Sequence, residues 1–344
     1  MKRLIVLITL AATSWLGLAG VTGPVEAKAP GPNGRILFQR LVVEVSKNRV
    51  EVFKRYTYTA NPDGGDVQPL TPNPLCSDLH RGQCTAEAAQ WSPDGSEVLV
   101  QADLCGLRNC AALIVNPDTG VARTLPETDP TRPVHCLTWS PDGSRLACVL
   151  DPFDSGLDPS LAGIYTIRSS DGGDLKRITN FLAFPADYSP DGRWLVFQTS
   201  DEEEQGHLSV IKLDGSGLTP ITPPDFQVNP GIGVSWSPDG RRILLSGVFG
   251  ESGRRGALWT VRPDGTGLEQ VPIPGCGGPV DDPTALGCLR PAWSPDGTKI
   301  VFDARGSQKR HVYTANADGS GLTQVTSSGL TEMDADWGTH QPSS

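Results

Sequence analysis

Four side chains with ligand-binding chemistry stand three or four positions before copies of one short aromatic motif. They are Glu87, His135, Arg290 and Asp334. Carboxylate, imidazole and guanidinium groups accept or donate hydrogen bonds and carry charge, so together they would make a polar binding surface. The motif is therefore the feature that decides whether these residues, far apart in sequence, meet in space.

The motif Trp-Ser-Pro-Asp-Gly begins at Trp91, Trp139, Trp236 and Trp293. A fifth copy begins at Tyr188, and a truncated sixth ends in Trp337-Gly338. A repeat of about 40–50 residues made of short strands is typical of a β-propeller. The sequence thus predicts an all-β, six-bladed propeller of four-stranded blades, in which the four candidate residues ring one mouth of the central channel.

The strand pattern indicates how the ring closes. Residues 34–40, 56–64 and 66–71 match the second, third and outer strands of a repeat, but no innermost strand precedes them. The orphan copy at 333–337 supplies one. We therefore expect the C-terminal strand to join the N-terminal blade, which removes an exposed sheet edge.

These motifs resemble the TolB-type propeller family, a WD40-like group with Trp-Ser-Pro-Asp-Gly repeats. The resemblance also includes Asp-Gly-Ser-Gly-Leu turns, as at 214–218 and 318–322, and it covers residues 34–338. TolB carries a separate α/β domain before its propeller, whereas this sequence predicts a propeller-only member. The resemblance is specific for the fold and weak for function, because this scaffold hosts many activities.

The N-terminus has the pattern of a secretory signal. Met1-Lys2-Arg3 is basic, residues 4–21 are apolar, and small residues precede a cleavage position after Ala27. We expect a signal peptide at 1–27, one propeller domain at 28–338 and a polar tail at 339–344; an uncleaved anchor is the alternative. These features predict a secreted or periplasmic protein without stable membrane insertion after cleavage.

The net charge of −10 argues against nucleic acid as a partner, because an acidic surface repels phosphates. The sequence contains no Gly-x-Ser-x-Gly elbow, His-Glu-x-x-His, Cys-x-x-Cys or phosphate loop. We expect no cofactor and no metal, although Asp151, Asp154 and Asp158 are a weak candidate for Ca²⁺ because they share one loop.

Eight cysteines in an exported chain indicate disulfides. The repeat register places each pair in one loop or on two adjacent strands. The expected pairs are Cys76–Cys84, Cys105–Cys110, Cys136–Cys148 and Cys276–Cys288.

The short repeated turns fall on one face of the disc, and the long irregular loops, stapled by disulfides, fall on the other. Such loops on a rigid scaffold commonly form binding sites. The sequence therefore predicts a monomeric, non-enzymatic binding propeller that presents this loop face to a protein, peptide or glycan. The alternative is a propeller hydrolase or lyase acting on a glycan or peptide at the channel mouth.

Overall fold

The structure is a computed structural model of the 344-residue chain. It describes residues 31–45, 51–70, 86–102, 110–126, 132, 134–152, 157–200, 206–228, 233–249, 253–305 and 309–341.

Antiparallel strands make up nearly all the regular structure of the described residues. The first eleven strands are β1 (Ile36–Val45), β2 (Glu51–Ala60), β3 (Gln68–Pro69), β4 (Ala86–Trp91), β5 (Val98–Ala102), β6 (Cys110–Val115), β7 (Ala122–Pro126), β8 (His135–Trp139), β9 (Arg145–Leu150), β10 (Gly163–Arg168) and β11 (Lys176–Arg177). The remaining strands are β12 (Phe184–Tyr188), β13 (Trp194–Ser200), β14 (Gly206–Lys212), β15 (Thr219–Pro220), β16 (Phe226–Val228), β17 (Val234–Trp236), β18 (Ile243–Phe249), β19 (Ala257–Val261), β20 (Glu269–Gln270), β21 (Gly287–Trp293), β22 (Lys299–Arg305), β23 (Arg310–Asn316), β24 (Thr323–Gln324) and β25 (Thr331–Trp337). A 3₁₀ helix spans Pro159–Leu161. In the described part of the chain, no helix is long and apolar enough to cross a bilayer.

The strands form the sheets of a β-propeller. Four sheets have four strands each, in the orders β25-β1-β2-β3, β4-β5-β6-β7, β8-β9-β10-β11 and β21-β22-β23-β24. A fifth sheet has nine strands, because β16 pairs with both β14 and β18 and so joins the set β12–β15 to the set β17–β20. Contacts between neighbouring sheets run around a closed ring, with β21 against β25 and β25 against β4.

The two ends of the chain close the ring, as the sequence predicts. Strand β25 pairs with β1 from Ile36 opposite Trp337 to Leu41 opposite Thr331. The indole Nε1–H of Trp337 donates to the carbonyl of Gly34 at 3.0 Å. Because β25 covers the inner edge of β1, the first sheet has the same strand count as its neighbours.

Residues of the expected polar tail also contact the propeller. The ring of His340 stacks on Trp91, with centroids 5.1 Å apart. His340 Nδ1 lies 3.0 Å from the carbonyl oxygen of Gly95. The tail segment therefore packs against the turn between β4 and β5 of the next sheet.

The hydrophobic core lies between adjacent sheets, and the motif aromatics belong to it. Trp91, Trp139, Trp236 and Trp337 are each at most 6% exposed. Trp139, for example, packs in a cluster that combines residues of β5–β7 with residues of β8–β10. The repeated aromatic therefore fills the gap between adjacent sheets. A single sheet could not bury these rings alone, so each depends on its neighbour.

The repetition of Ser-Pro-Asp-Gly has a local cause. In the copy at 140–143, Ser140 Oγ donates to Asp142 at 2.6 Å and accepts from the backbone N–H of Arg145 at 2.9 Å. Asp142 also accepts from Ser144 N–H, and Gly143 has a φ of +70°, which disfavours other residues. The turn is thus held by its own side chains and tolerates little variation.

Two of the four expected disulfides are present among the described residues. Cys136 and Cys148 lie opposite each other on β8 and β9, and Cys276 joins the loop before β21 to Cys288 on that strand. Cys76, Cys84 and Cys105 lie outside the described residues, and the side chain of Cys110 in β6 is not described, so the expected pairs Cys76–Cys84 and Cys105–Cys110 stay predictions.

Deleting residues 332–344 should abolish cooperative folding, because it removes Trp337 and nearly all of β25 and exposes the inner edge of β1. Thermal unfolding followed by circular dichroism, with size-exclusion chromatography, measures the effect. Deleting only 342–344 is the matched control, since it removes none of β25. A truncated chain that stays monomeric with an unchanged melt would contradict the role of strand sharing.

Candidate functional site

The innermost strands leave a narrow cavity on the propeller axis. Its volume is about 60 Å³, and its polar lining includes Gln90, Asp187, Ser235, Arg290, Asp334 and Asp336. That volume holds only a few water molecules. A larger ligand would therefore contact a mouth of the channel and would not enter the axis.

Arg290 and Asp334 face each other in this cavity. Both lie three positions before a motif aromatic, where β21 and β25 are bulged. Both have positive φ values, 49° for Arg290 and 58° for Asp334, which is uncommon for residues inside strands. The bulges turn the two side chains toward each other, and they form an ion pair.

A second carboxylate lies behind this pair. Asp303 on β22 is fully buried, and its Oδ1 accepts from the Asp334 N–H at 3.4 Å. Burial raises the pKa of Asp303 to about 7, although the positive charges of Arg290 and Arg310 oppose the shift. Arg310 approaches Asp303 at 3.6 Å, and Arg55 approaches Asp334 at 3.7 Å.

A further ion pair lies beside this group, at the same end of the strands. Glu332 is fully buried and accepts from Arg40 Nη2 at 2.7 Å and Nε at 3.0 Å. Its other oxygen lies 3.1 Å from His311 Nδ1. Burial alone would raise the pKa of Glu332, but hydrogen bonds from Thr326, His311 and Arg40 outweigh burial and lower it. Glu332 therefore stays ionised at neutral pH.

The arginines form the outer layer of this charged cluster. The side chains of Arg40, Arg55, Arg290 and Arg310 are 18–30% exposed, whereas those of Asp303, Glu332 and Asp334 are at most 4% exposed. We call these seven residues the mouth cluster. It lies on the irregular-loop face, because Arg310 and Glu332 are at the strand ends away from the Ser-Pro-Asp-Gly turns. A ligand arriving there meets guanidinium groups first.

Of the other residues that the sequence singles out, those whose side chains the structure describes, His135, Asp151 and Asp158, are not part of this cluster. His135 is exposed at the start of β8 and does not line the axial cavity. Glu87 lies in β4, but its side chain is outside the described part of the structure. Asp158 caps the 3₁₀ helix by accepting from Ser160 N–H at 2.9 Å, and Asp154 is outside the described residues. No group of three histidine, cysteine or carboxylate side chains that could hold a metal occurs within the described ranges.

The sequence analysis missed a set of hydrogen bonds around the channel. In four places, the polar residue just before one aromatic accepts from the backbone N–H of the aromatic in a neighbouring sheet or strand set. The pairs are Asp336 with Trp91 at 2.8 Å, Gln90 with Trp139 at 3.3 Å, Asp187 with Trp236 at 2.7 Å, and Ser235 with Trp293 at 3.3 Å. A polar residue directly before the motif aromatic recurs in the sequence, and this recurrence could have predicted the hydrogen bonds.

At the two remaining positions before a motif aromatic, the side chain does not accept a hydrogen bond from a neighbouring aromatic. Ala292 precedes Trp293 and has no side-chain acceptor to offer. Thr138 precedes Trp139, but its Oγ1 is buried without a hydrogen bond, because the N–H of Tyr188 donates to Asp187 instead. These interactions, where present, connect neighbouring units directly at the axis.

The closed ring of antiparallel sheets around a polar axis defines a β-propeller, and the comparisons narrow this to a TolB-like fold. The chain superposes on TolB from Acinetobacter baumannii with a TM-score of 0.64 and 16% identity, covering 93% of this chain and 68% of that one. A candidate TolB from Agrobacterium tumefaciens gives a TM-score of 0.58 and 18% identity over 86% of this chain and 90% of that one.

Sequence comparison adds a distant relative. An uncharacterized protein of Agrobacterium fabrum is 28% identical over 223 residues, which are 63% of this chain and 64% of the relative's length. No family model matches the chain. The TolB-like fold is therefore established, and the comparisons leave the activity open.

Replacing Asp187 with Ala should destabilise the protein by about 1–3 kcal/mol, because the buried N–H of Trp236 loses its acceptor. Asp187→Asn keeps one acceptor oxygen and should lose less. Urea unfolding of both variants measures the difference, with the exposed Asp225→Ala as control. Equal stability of Asp187→Ala and wild type would show that this hydrogen bond contributes nothing.

Asp303 should make stability depend on pH. Its pKa rises from 3.8 to about 7 on folding. The contribution of Asp303 to the free energy of unfolding is therefore fully present below pH 3.8 and is lost as the pH rises through about 7. The free energy of unfolding of Asp303→Asn, taken relative to that of wild type, should therefore increase by on the order of 2 kcal/mol between pH 5 and pH 8. Urea unfolding at several pH values tests this, and Asp225→Asn should show no such trend. A pH-independent difference between Asp303→Asn and wild type would contradict a buried, titrating Asp303.

Proposed function

We propose that this protein is an exported, non-enzymatic binding propeller that presents its loop face to a protein, peptide or glycan carrying a carboxylate. The observation that carries the proposal is the mouth cluster, in which Arg290 and Asp334 adopt strained backbone conformations inside strands. Non-glycine residues in the left-handed region cost on the order of 1–3 kcal/mol each and concentrate at functional sites.

The charge distribution of the mouth cluster favours an acidic group as the contact. Its carboxylates are buried beneath partly exposed guanidinium groups, which recognise a carboxylate through two parallel hydrogen bonds. Arg55 and Arg310 approach their acidic partners only at 3.7 Å and 3.6 Å. Arg310 therefore retains donors that can turn toward a ligand.

The rigid framework around the mouth supports binding more than catalysis. The loop before β21 is joined to that strand by Cys276–Cys288, which limits the entropy lost on association. Disulfides also fit export to an oxidising compartment, secreted or periplasmic. The alternative hydrolase or lyase would use His135 together with the acids of the channel. No observation in the described residues favours it, since Asp334 lines the axial cavity and His135 does not.

The proposal includes a ring of six blades. The nine-stranded sheet contains two sets of four strands in blade order, β12–β15 and β17–β20, with β16 added between them. Taken as two blades, they bring the total to six, which matches the six aromatic landmarks in the sequence. A monomer of this kind needs no partner to complete its sheets.

Hexaglutamate and a tetrameric oligouronate, each compared with an uncharged analogue, test the mouth in calorimetry at low and physiological salt. We expect the acidic probes to bind more tightly, and Arg55→Gln and Arg310→Gln to weaken binding about tenfold, or ~1.4 kcal/mol. Arg241→Gln, on the turn face and highly exposed, is the matched control. Equal binding of charged and uncharged probes, or equal loss with Arg241→Gln, would contradict the proposal. Hydrolysis or elimination of either acidic probe, abolished by His135→Ala, would favour the alternative.

A further inference from the structure

A larger cavity opens on the opposite face, between the strand sets β12–β15 and β17–β20. Its volume is about 570 Å³, within the range of about 300–1,000 Å³ that is usual for ligand pockets. Its lining is mainly apolar and includes Pro190, Trp194, Val210, Trp236 and Pro238. The Ser-Pro-Asp-Gly turns around it place this cavity away from the mouth cluster.

The cavity lies where one unit departs from the repeat. Directly before the residue that pairs with the motif aromatic, the other repeats carry a charged side chain: Arg35, Glu97, Arg145, Arg242 or Lys299. In all five repeats this residue is held within its own sheet, by Thr59, Arg123, Thr166, Thr260 and Asn316 respectively. Arg145 Nη2 donates to Thr166 Oγ1 at 2.9 Å, and Arg35 Nε donates to Thr59 Oγ1 at 2.9 Å.

In the unit that borders the cavity, Trp194 replaces the charged residue and Val210 replaces the threonine. A polar pair that cross-links one sheet thus becomes an apolar pair. Both side chains line the cavity, with Trp194 partly buried and packed against the cluster that contains Val210, which is 2% exposed. Of the six repeats, only this one lacks a charged residue at the position of Trp194.

The ring of Trp194 already makes a cation–π contact within the protein. The ammonium of Lys212 lies 5.3 Å from the ring centre of Trp194. An indole face attracts cations through its quadrupole, and Trp is the strongest of the aromatic side chains in this respect. Nearby, Leu218 is 51% exposed and offers further apolar surface at the edge of the same unit.

The rim of the cavity is acidic. Asp191, Asp239 and Asp264 line it, one from each of three turns. Hydrogen bonds from Thr266 lower the pKa of Asp264. Burial opposes the same effect at Asp191 and Asp239, but hydrogen bonds from Ser189 and Ser237 and from their own turns prevail and lower the pKa of each. All three carboxylates are therefore ionised at neutral pH.

The local cations do not neutralise this rim completely. Arg193 pairs with Asp191 at 2.6 Å, and Arg241 approaches Asp239 only at 3.8 Å. Asp264 accepts from Thr266 N–H and Oγ1, and both donors are neutral. Arg262 also lowers the pKa of Asp264 through its charge, but among the described residues Asp264 is the rim carboxylate without a direct ion pair.

We propose that this cavity binds an extended segment of a partner protein in which a lysine or arginine stands next to an aliphatic residue. The aliphatic side chain packs on Trp194 and Val210, and the cation lies toward Asp264 and Asp239. The charge complementarity is specific to this face, because the mouth cluster presents arginines and would repel the same segment. The site is independent of the function proposed for the loop face.

The peptide Ac-Gly-Leu-Arg-Leu-Gly-NH₂ is the probe, with twins in which Arg is replaced by Gln or Glu, titrated by calorimetry against the full chain. We expect the Arg peptide to bind at least tenfold more tightly than the Glu twin. The double variant Trp194→Arg with Val210→Thr, which restores the pair found in neighbouring repeats, should reduce binding at least tenfold. Because it rebuilds a pair that the fold already uses, it should keep the wild-type melt.

Asp264→Asn provides a test that changes no packing. It should weaken the Arg peptide about fivefold and leave the Gln twin unchanged, whereas Asp318→Asn, at the equivalent turn of the last repeat, should change neither. The proposal is overturned if the Arg peptide does not bind at millimolar concentration. Equal affinity for the Arg and Glu peptides, or undiminished binding to the folded double variant, would overturn it too.

Discussion

The innermost strand of each sheet has a neighbour on only one side, so its other edge presents backbone groups to the channel. These groups must be satisfied, since buried N–H groups without partners are costly. Here the acceptors come from an adjoining unit: Asp336 serves Trp91, and Asp187 serves Trp236. The same residues that end the innermost strands therefore hold the ring together, and a unit removed from the ring loses both its packing partner and its acceptor.

The mouth cluster combines two opposing demands. Burying Asp303, Glu332 and Asp334 is unfavourable unless each carboxylate is paired. Arg40 and His311 hold Glu332 directly, whereas Asp303 accepts one long hydrogen bond from the Asp334 N–H and has Arg310 at 3.6 Å, so it holds its proton more tightly. Positive φ values at Arg290 and Asp334 add further cost. These unfavourable contributions are consistent with the binding role that we propose for the mouth cluster.

Much of the fold was predictable, because the motif residues act locally. Ser140, Asp142 and Gly143 hold one turn through their own hydrogen bonds, so the turn can be recognised without its surroundings. Closure by the C-terminal strand follows from a missing innermost strand, and two disulfides follow from the register.

The site was predictable only in part. The position of Arg290 and Asp334 before the aromatics places both at the axis, but their meeting depends on bulges that the sequence does not reveal. His135 occupies a similar sequence position and remains exposed, since one residue of offset changes the direction of a strand side chain. The joining of two strand sets through β16 depends on a pairing between segments that have no motif.

Closure through β25 also bears on how the chain acquires its structure. Trp337 and Gly34, which bond each other, are 303 positions apart, so the first sheet cannot be finished before the last strand exists. Contacts of such long range slow folding, because the entropy of closing the loop is lost before the contact forms. During synthesis, the edge of β1 stays unpaired until β25 has been made, and self-association would start at that edge.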